Sequence, residues 1–180
     1  MIRLMLWLLG GILLGGIVHL VTVLMLPNLA TQDAYSRLLP MTAVNAVTAV
    51  APPSPESAVM PYMDPAFAVS VCRYDISDGP LKFSVPVSQA YTSVSFYTRT
   101  DVPYYAINDR AAGRRMIELD LMTTEQRSEL PENEEITAAD RLIVESPTTT
   151  GLIVIKSLAP EPGLLQAARR ALAAAQCSPG

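Results

Sequence analysis

Side chains able to do polar chemistry concentrate in one stretch, "SFYTRTDVPYYAINDRAAGRR" from Ser95 to Arg115. Tyr97, Arg99, Asp101, Tyr104, Asn108, Asp109 and Arg110 fall across an expected strand–turn–strand. Arginine presents planar donors that stack on aromatic rings and grip carboxylates or phosphates, and tyrosine and arginine dominate binding hot spots. Tyr97, Arg99, Asp101, Tyr104, Asn108 and Arg110 are therefore the candidate binding residues. The same residues also suit an Arg–Asp network that holds a hairpin, with the tyrosines half-buried on a sheet. An enzyme using the tyrosine, arginine and carboxylate groups of 97–110 is the alternative functional reading.

Other chemistries find few residues to use. The single histidine, His19, lies within an apolar run, so the rest of the chain has none for Ser–His or Cys–His mechanisms or for most zinc sites. There is no Gly-x-Ser-x-Gly elbow, no phosphate-cradling glycine loop and no Cys-x-x-Cys. "DISDG", Asp75 to Gly79, sets an aspartate beside a turn without the ligand spacing of a calcium loop. A Ser–Lys dyad would need Lys82 or Lys156 beside a serine, and nothing local marks one. No catalytic residue, metal ligand or cofactor is assigned. The net charge of −4 comes without a basic stripe, so nucleic acid is not an expected partner. The acidic run "EQRSELPENEE" at 125–135 reads as a solvated face.

The elements that must carry these residues begin with an apolar segment. Leu4 to Leu26 contains no Asp, Glu, Lys or Arg. As a helix it would be roughly 34 Å long, matching a hydrocarbon core of about 30 Å. A cleaved signal peptide has an apolar core of only about 7–15 residues, and "PNLATQDA" is a poor cleavage site. Residues 1–28 are therefore expected to be an uncleaved transmembrane anchor. Arg3 and the N-terminus flank one end, which favours a single-pass bacterial inner-membrane protein with its C-terminal domain in the periplasm. Gly11, Gly15 and His19 recur every fourth residue on one helix face. That pattern lets a second helix approach closely and gives it a polar partner. His19 fits an interfacial or partner-satisfied imidazole, or a proton-transfer group. The expected partners here are the lipid bilayer and another helix.

Residues 29–65 read as a juxtamembrane helix, "DAYSRLL" lying on the membrane surface, and a stalk. Prolines at 40, 52, 53, 55, 61 and 65 favour extended, semi-rigid chain. One strand near Val44–Val50 could join the following domain.

From residue 66 to 180 the period becomes that of a mainly β domain. Phe67, Val69 and Val71 share a strand face, Asp78-Gly79-Pro80 marks a turn, and Val94 and Phe96 lie on one side of a further strand. Ile117, Leu119 and Leu121 alternate with Glu118 and Asp120. "RLIVES" and "GLIVIKSL" follow, after a brief helix near Thr124–Leu130. Short strands at this spacing predict an antiparallel β-sandwich or barrel-like domain. "GLLQAARRALAAA" places Leu164, Leu165, Ala168, Ala171, Leu172 and Ala175 on one stripe, with Arg169 and Arg170 outside it. This is a C-terminal amphipathic helix expected to pack on the sheet. Cys72 and Cys177, the only cysteines, are expected to form a disulfide in an exported domain and to pin that helix.

The run "DPAFAVSVCRYDISDGPLKFSVPVSQAYTSVSFYTRTDVPYYAINDRAAG" resembles the bacterial family catalogued as domain of unknown function 1254. The matching parts are the turn Asp75–Pro80, the "SVP" strand at Ser84–Pro86, the strand Tyr91–Thr98, the hairpin Tyr104–Gly113 and the later "SPTTTGLIVIK". The resemblance spans Ala66 to Ala159. It implies a β-sandwich-like domain with no established activity, hence no catalytic residues to carry over. Larger members continue into a companion domain, numbered 1214, whereas this chain carries its own anchor and ends in a helix. That departure implies a separate partner chain bearing the companion domain. The expected role is binding or envelope assembly beside such a partner.

Overall fold

The computed structural model describes residues 1–29, 33–88, 90–113, 115–129 and 142–180. They form two compact units, Met1–Asp33 and Ala34–Gly180. The first is helix α1, Ile2–Leu29, of which Ile2–Leu26 is long and apolar enough to cross a membrane as an anchor or to serve as a signal sequence. The helix passes through Pro27 rather than stopping there. Proline this close to a helix end removes a single backbone hydrogen bond.

The second unit is a two-layer β-sandwich. One sheet has the order β1 (Val47–Ala49), β2 (Phe67–Asp75), β8 (Thr150–Leu158), β4 (Thr92–Thr98) and β5 (Pro103–Asn108). The other runs β7 (Leu142–Glu145), β6 (Met116–Met122), β3 (Leu81–Pro86) and β9 (Gln176–Pro179). The mainly β, sandwich-like fold expected from the alternation is the one observed. Inward residues of both sheets make one core: Tyr74, Val94, Phe96, Ile153 and Ile155 from the first meet Leu81, Phe83, Ile117, Leu119 and Leu121 from the second. Phe83 and Phe96 meet edge-to-face across the layers, with ring centroids 6.3 Å apart, a favoured aromatic geometry. Strand neighbours are antiparallel except β6 and β7, which run parallel. A parallel neighbour needs a long crossover, and here the chain passes through α4 (Thr124–Ser128) and the residues up to 141 between them. Thr123 and Gln126 start α4 with a reciprocal capping box. Leu130 and the acidic run beyond Glu129 lie outside the described residues.

Both faces of β2 are covered. Its even-numbered residues Ala68, Cys72 and Tyr74 point into the main core. Val71 and Val69 belong to a second cluster outside the sheet, where Tyr35 and Leu38 of α2 (Ala34–Leu38) pack on Val50 and Leu152. The segment expected as a juxtamembrane helix and stalk thus contributes α2 and β1 to this unit. Asn45 extends the join: its side-chain amide both donates to the Asp75 carbonyl and accepts from the Asp75 N–H, each at 2.8 Å. These bonds reproduce with a side chain what another strand residue would supply.

The C-terminal helix α5, Leu165–Ala173, packs Ala168 and Leu172 into the main core. The chain after it does not fray. Gln176–Pro179 forms β9, hydrogen-bonded to β3. Cys72 and Cys177 are disulfide-bonded with Cα atoms 6.6 Å apart, so the bond ties β2 in one sheet to β9 in the other. The expected tie to the helix is replaced by a tie between sheets. The observed bond fastens the two layers, because Gln176–Pro179, two residues beyond the end of α5, complete a sheet.

The bond closes a loop of 105 residues, and removing a native disulfide from a small domain typically costs about 2–5 kcal/mol. Cys72→Ser should lower the unfolding free energy by that amount, read as a shift in denaturant midpoint. Wild type should show the same loss under reductant. Mass spectrometry with free thiols blocked should find no blocked cysteine in the oxidised protein, and two blocked thiols per chain would refute the tie.

Candidate functional site

The six candidate binding residues occupy three separate places. Arg99 and Asp101, in and beside the β4–β5 turn, hold α2. The Arg99 guanidinium lies over the Tyr35 ring, 4.1 Å from its centroid, a cation–π contact. The Asp101 carboxylate accepts from the Ala34 N–H at 2.8 Å, supplying an acceptor to a helix-start donor that lacks one. Asp101 sits at φ +59°, a conformation aspartate tolerates better than most residues. The Thr98 N–H bond to the Val102 carbonyl, 2.9 Å, and the Asp101 N–H bond to the Thr98 carbonyl, 3.1 Å, fix that turn. Arg99 and Asp101 thus each act on α2.

Asn108 and Arg110 are at the far end of β5. The Asn108 side chain accepts from the Ala111 N–H at 2.9 Å and caps α3, Asp109–Ala112. Arg110 is on that short helix and faces solvent. Tyr97 joins the outer cluster under α2.

Tyr104 goes the other way, into the sandwich, where it meets buried hydroxyls that no local sequence pattern marks. Its hydroxyl donates to the hydroxyl of Tyr74 at 3.1 Å, and Tyr74 is fully buried. The Tyr74 hydroxyl is 3.0 Å from Ser146 Oγ and 3.3 Å from the Tyr97 carbonyl. Ser146 in turn donates to the Thr148 carbonyl at 2.6 Å. The donors therefore point one way, from Tyr104 through Tyr74 and Ser146 to a backbone oxygen. A backbone carbonyl cannot relay a proton, so the chain satisfies buried hydroxyls and joins β2, β4, β5 and the turn after β7. Burial, followed by the neighbouring Tyr74, pushes the Tyr104 pKa well above the usual tyrosine range. It is a neutral phenol under ordinary conditions, not a nucleophile or base.

Gly151 makes this possible. It pairs with Tyr74 on one side and Thr98 on the other. A Cβ there would overlap the Tyr97 carbonyl and the Tyr74 hydroxyl. A lone glycine inside a strand marks such a close approach, and "TTTGLIVIK" carried that signal.

The turn "DISDG" is also accounted for. Asp75 accepts from the Ser77 N–H at 3.0 Å and the Ser77 hydroxyl at 2.7 Å, and these bonds lower its pKa. Its carboxylate shapes a turn, and no metal-binding cluster of His, Cys, Asp or Glu occurs among the described residues.

Two predictions follow from the tyrosine chain. Gly151→Ala should cost about 3 kcal/mol, the upper range for overpacking a dense core, measured by chemical unfolding, and a loss under 0.5 kcal/mol would show that Tyr74 moves aside freely. Tyr104→Phe should cost about 1 kcal/mol near neutrality, the typical net value of one hydrogen bond. A raised folded-state pKa contributes stability below the unfolded value of about 10 that is lost as pH rises beyond it. Wild type should therefore lose stability from pH about 10 upward, and Tyr104→Phe should lose less over the same interval.

The family described as "Protein of unknown function (DUF1254)" matches residues 44–179. No curated protein matches the sequence. The crystal structure of the VPA0106 protein from Vibrio parahaemolyticus is similar with a TM-score of 0.60 at 12% identity, over 81% of this chain and 34% of that one. A putative uncharacterized protein from Burkholderia cenocepacia aligns with a TM-score of 0.47 and 12% identity, over 69% of this chain and 33% of that one. The chain thus spans about a third of the length of either protein, and the first likeness is one of fold. The matched segment contains every strand from β1 to β9 together with the inter-sheet disulfide, and on that match the chain belongs to the DUF1254 family.

Proposed function

We propose that the protein is a binding or assembly module, held at a bacterial inner membrane by α1 with its β domain in the periplasm. Arg3 and the apolar length of α1 support the topology. The inter-sheet disulfide supports an oxidising compartment.

The observation that carries the binding role is Tyr62. This tyrosine is fully exposed, at 102% of its reference area, and its backbone is held at φ +59°. A bulky residue seldom adopts that conformation, and such strain concentrates at functional positions. An exposed aromatic beside Pro61 is the type of group that anchors a protein interface. The candidate residues around 97–110 are dispersed, and Arg99, Asp101, Tyr104 and Asn108 are engaged within the fold, which disfavours the alternative of an envelope enzyme built from them. The partner we propose is a separate chain carrying the companion domain numbered 1214. The similar Vibrio structure supports this in that its fold equivalent is part of a chain about three times as long. In α1, open space surrounds the Cβ positions of Gly11 and Gly15, and with His19 they form a face on which a second helix can pack.

The test joins location to contact. A reporter fused after Gly180 should be active on the periplasmic side. With a photoreactive amino acid at position 62, irradiated cells should yield one discrete protein adduct. The adduct should weaken when Gly11 and Gly15 are both leucine, if the two surfaces serve one assembly. A reporter active only in the cytoplasm would overturn the topology, and absence of any protein adduct from position 62 would overturn the binding role.

A further inference from the structure

Helix α5 leaves an open groove of about 460 Å³ between itself and the start of the first sheet. Val50, Met63, Phe67 and Leu172 line it, and Arg169 and Arg170 reach it from the helix. Phe67 packs in neither core cluster, so its ring is a groove wall rather than a core residue. A second hollow of about 500 Å³ shares Ala49, Ser70, Leu172 and Ala173 with the first. The two hollows are neighbours beside α5, and each is in the range of about 300–1,000 Å³ usual for small-molecule sites.

The charges in the lining have one sign. Neither hollow is lined by an aspartate or glutamate. Among the described residues neither arginine is paired with a carboxylate: Arg170 donates Nε–H to the Gln166 carbonyl at 3.3 Å, and Arg169 is half-buried. Apolar walls recognise an apolar body through burial, while a planar guanidinium at the mouth recognises an oxyanion through charge-assisted, bidentate bonds. A neutral chain would leave the arginines unused, and a compact polar anion would leave the walls unused. We propose that the groove binds a free long-chain carboxylate, its chain lying along Val50, Phe67 and Leu172 and its head group held by Arg169 and Arg170. This inference is independent of the partner-binding role at Tyr62.

The full chain in phosphatidylcholine nanodiscs would be irradiated with a fatty acid bearing a diazirine near its chain end, and the adducts located by peptide mass spectrometry. Labelling is expected on the groove residues between positions 49 and 70 and on α5. Arg169→Gln combined with Arg170→Gln should reduce it at least about tenfold, as expected for lost charge-assisted hydrogen bonds. The corresponding diazirine alcohol should label the groove at least about tenfold less than the acid. Ala173→Phe, which obstructs the groove from an exposed position, should also abolish the signal, and unchanged melting of both variants would show that each is folded. Adducts confined to α1, equal labelling by acid and alcohol, or full labelling of the double arginine variant would each overturn the proposal.

Discussion

Strand β2 carries the two links on which the sandwich depends. Cys72 and Tyr74 are two residues apart on its inner face. One bonds covalently to β9 in the opposite sheet, and the other reaches across Gly151 to β4, β5 and the turn after β7. The chain changes sheets repeatedly, from β2 to β3, back to β4, and later from β8 to β9. Contacts between layers are therefore mostly distant in sequence, and forming them costs loop-closure entropy. A fixed crosslink and a satisfied hydroxyl chain on one strand hold the layers in a single register. The absence of a Cβ at residue 151 is the condition for the second link.

That constraint explains why the polar hairpin does not form a converging site. Strand alternation sends Phe96 and Thr98 to one side of β4 and Tyr97 to the other, so Tyr97 and Tyr104 end on opposite faces of the sheet. Asp101 and Arg99, past the end of β4, are left beside α2 and stabilise it. A five-residue helix has too few internal hydrogen bonds to be stable alone. The buried Tyr35 and Leu38, the Arg99 stack and the Asp101 acceptor together provide what it lacks.

The sequence made the alternating strands readable because each has one core face. Val94 with Phe96, and Ile117 with Leu119 and Leu121, point inward as their period requires. The α5 stripe was readable in part: Ala168 and Leu172 are buried, with Arg169 and Arg170 outside, but Leu164 falls in the turn before the helix and is exposed. Strand β9 was not, because "QCSP" is too short to show a period and ends in proline. The parallel pairing of β6 and β7 depends on the path of the connection, which residue types do not specify. In β2 the sequence drew attention to Phe67, Val69 and Val71, yet the main core takes Ala68, Cys72 and Tyr74. Both faces are covered, so alternation alone could not choose between them. Of the site, the arginine, aspartate and tyrosine residues were legible as chemistry, but their partners Tyr35, Ala34 and Tyr74 are 67 to 30 residues away and no local pattern points to them.

The α5 groove follows from the same packing. Leu172 and Ala168 turn inward to close the core at one end. Alanine brings the helix close to the sheet but has little side chain with which to fill the angle between them. Strand β1, only three residues long, ends before it can cover that angle from the other side. Phe67 begins β2 where β1 no longer pairs, and its side chain borders the open groove. The arginines follow Ala168 directly and are carried by the helical turn away from the core, which places them where the apolar walls meet water. A small helix chosen for close packing thus leaves, beside a short edge strand, an apolar groove whose charged boundary is wholly cationic.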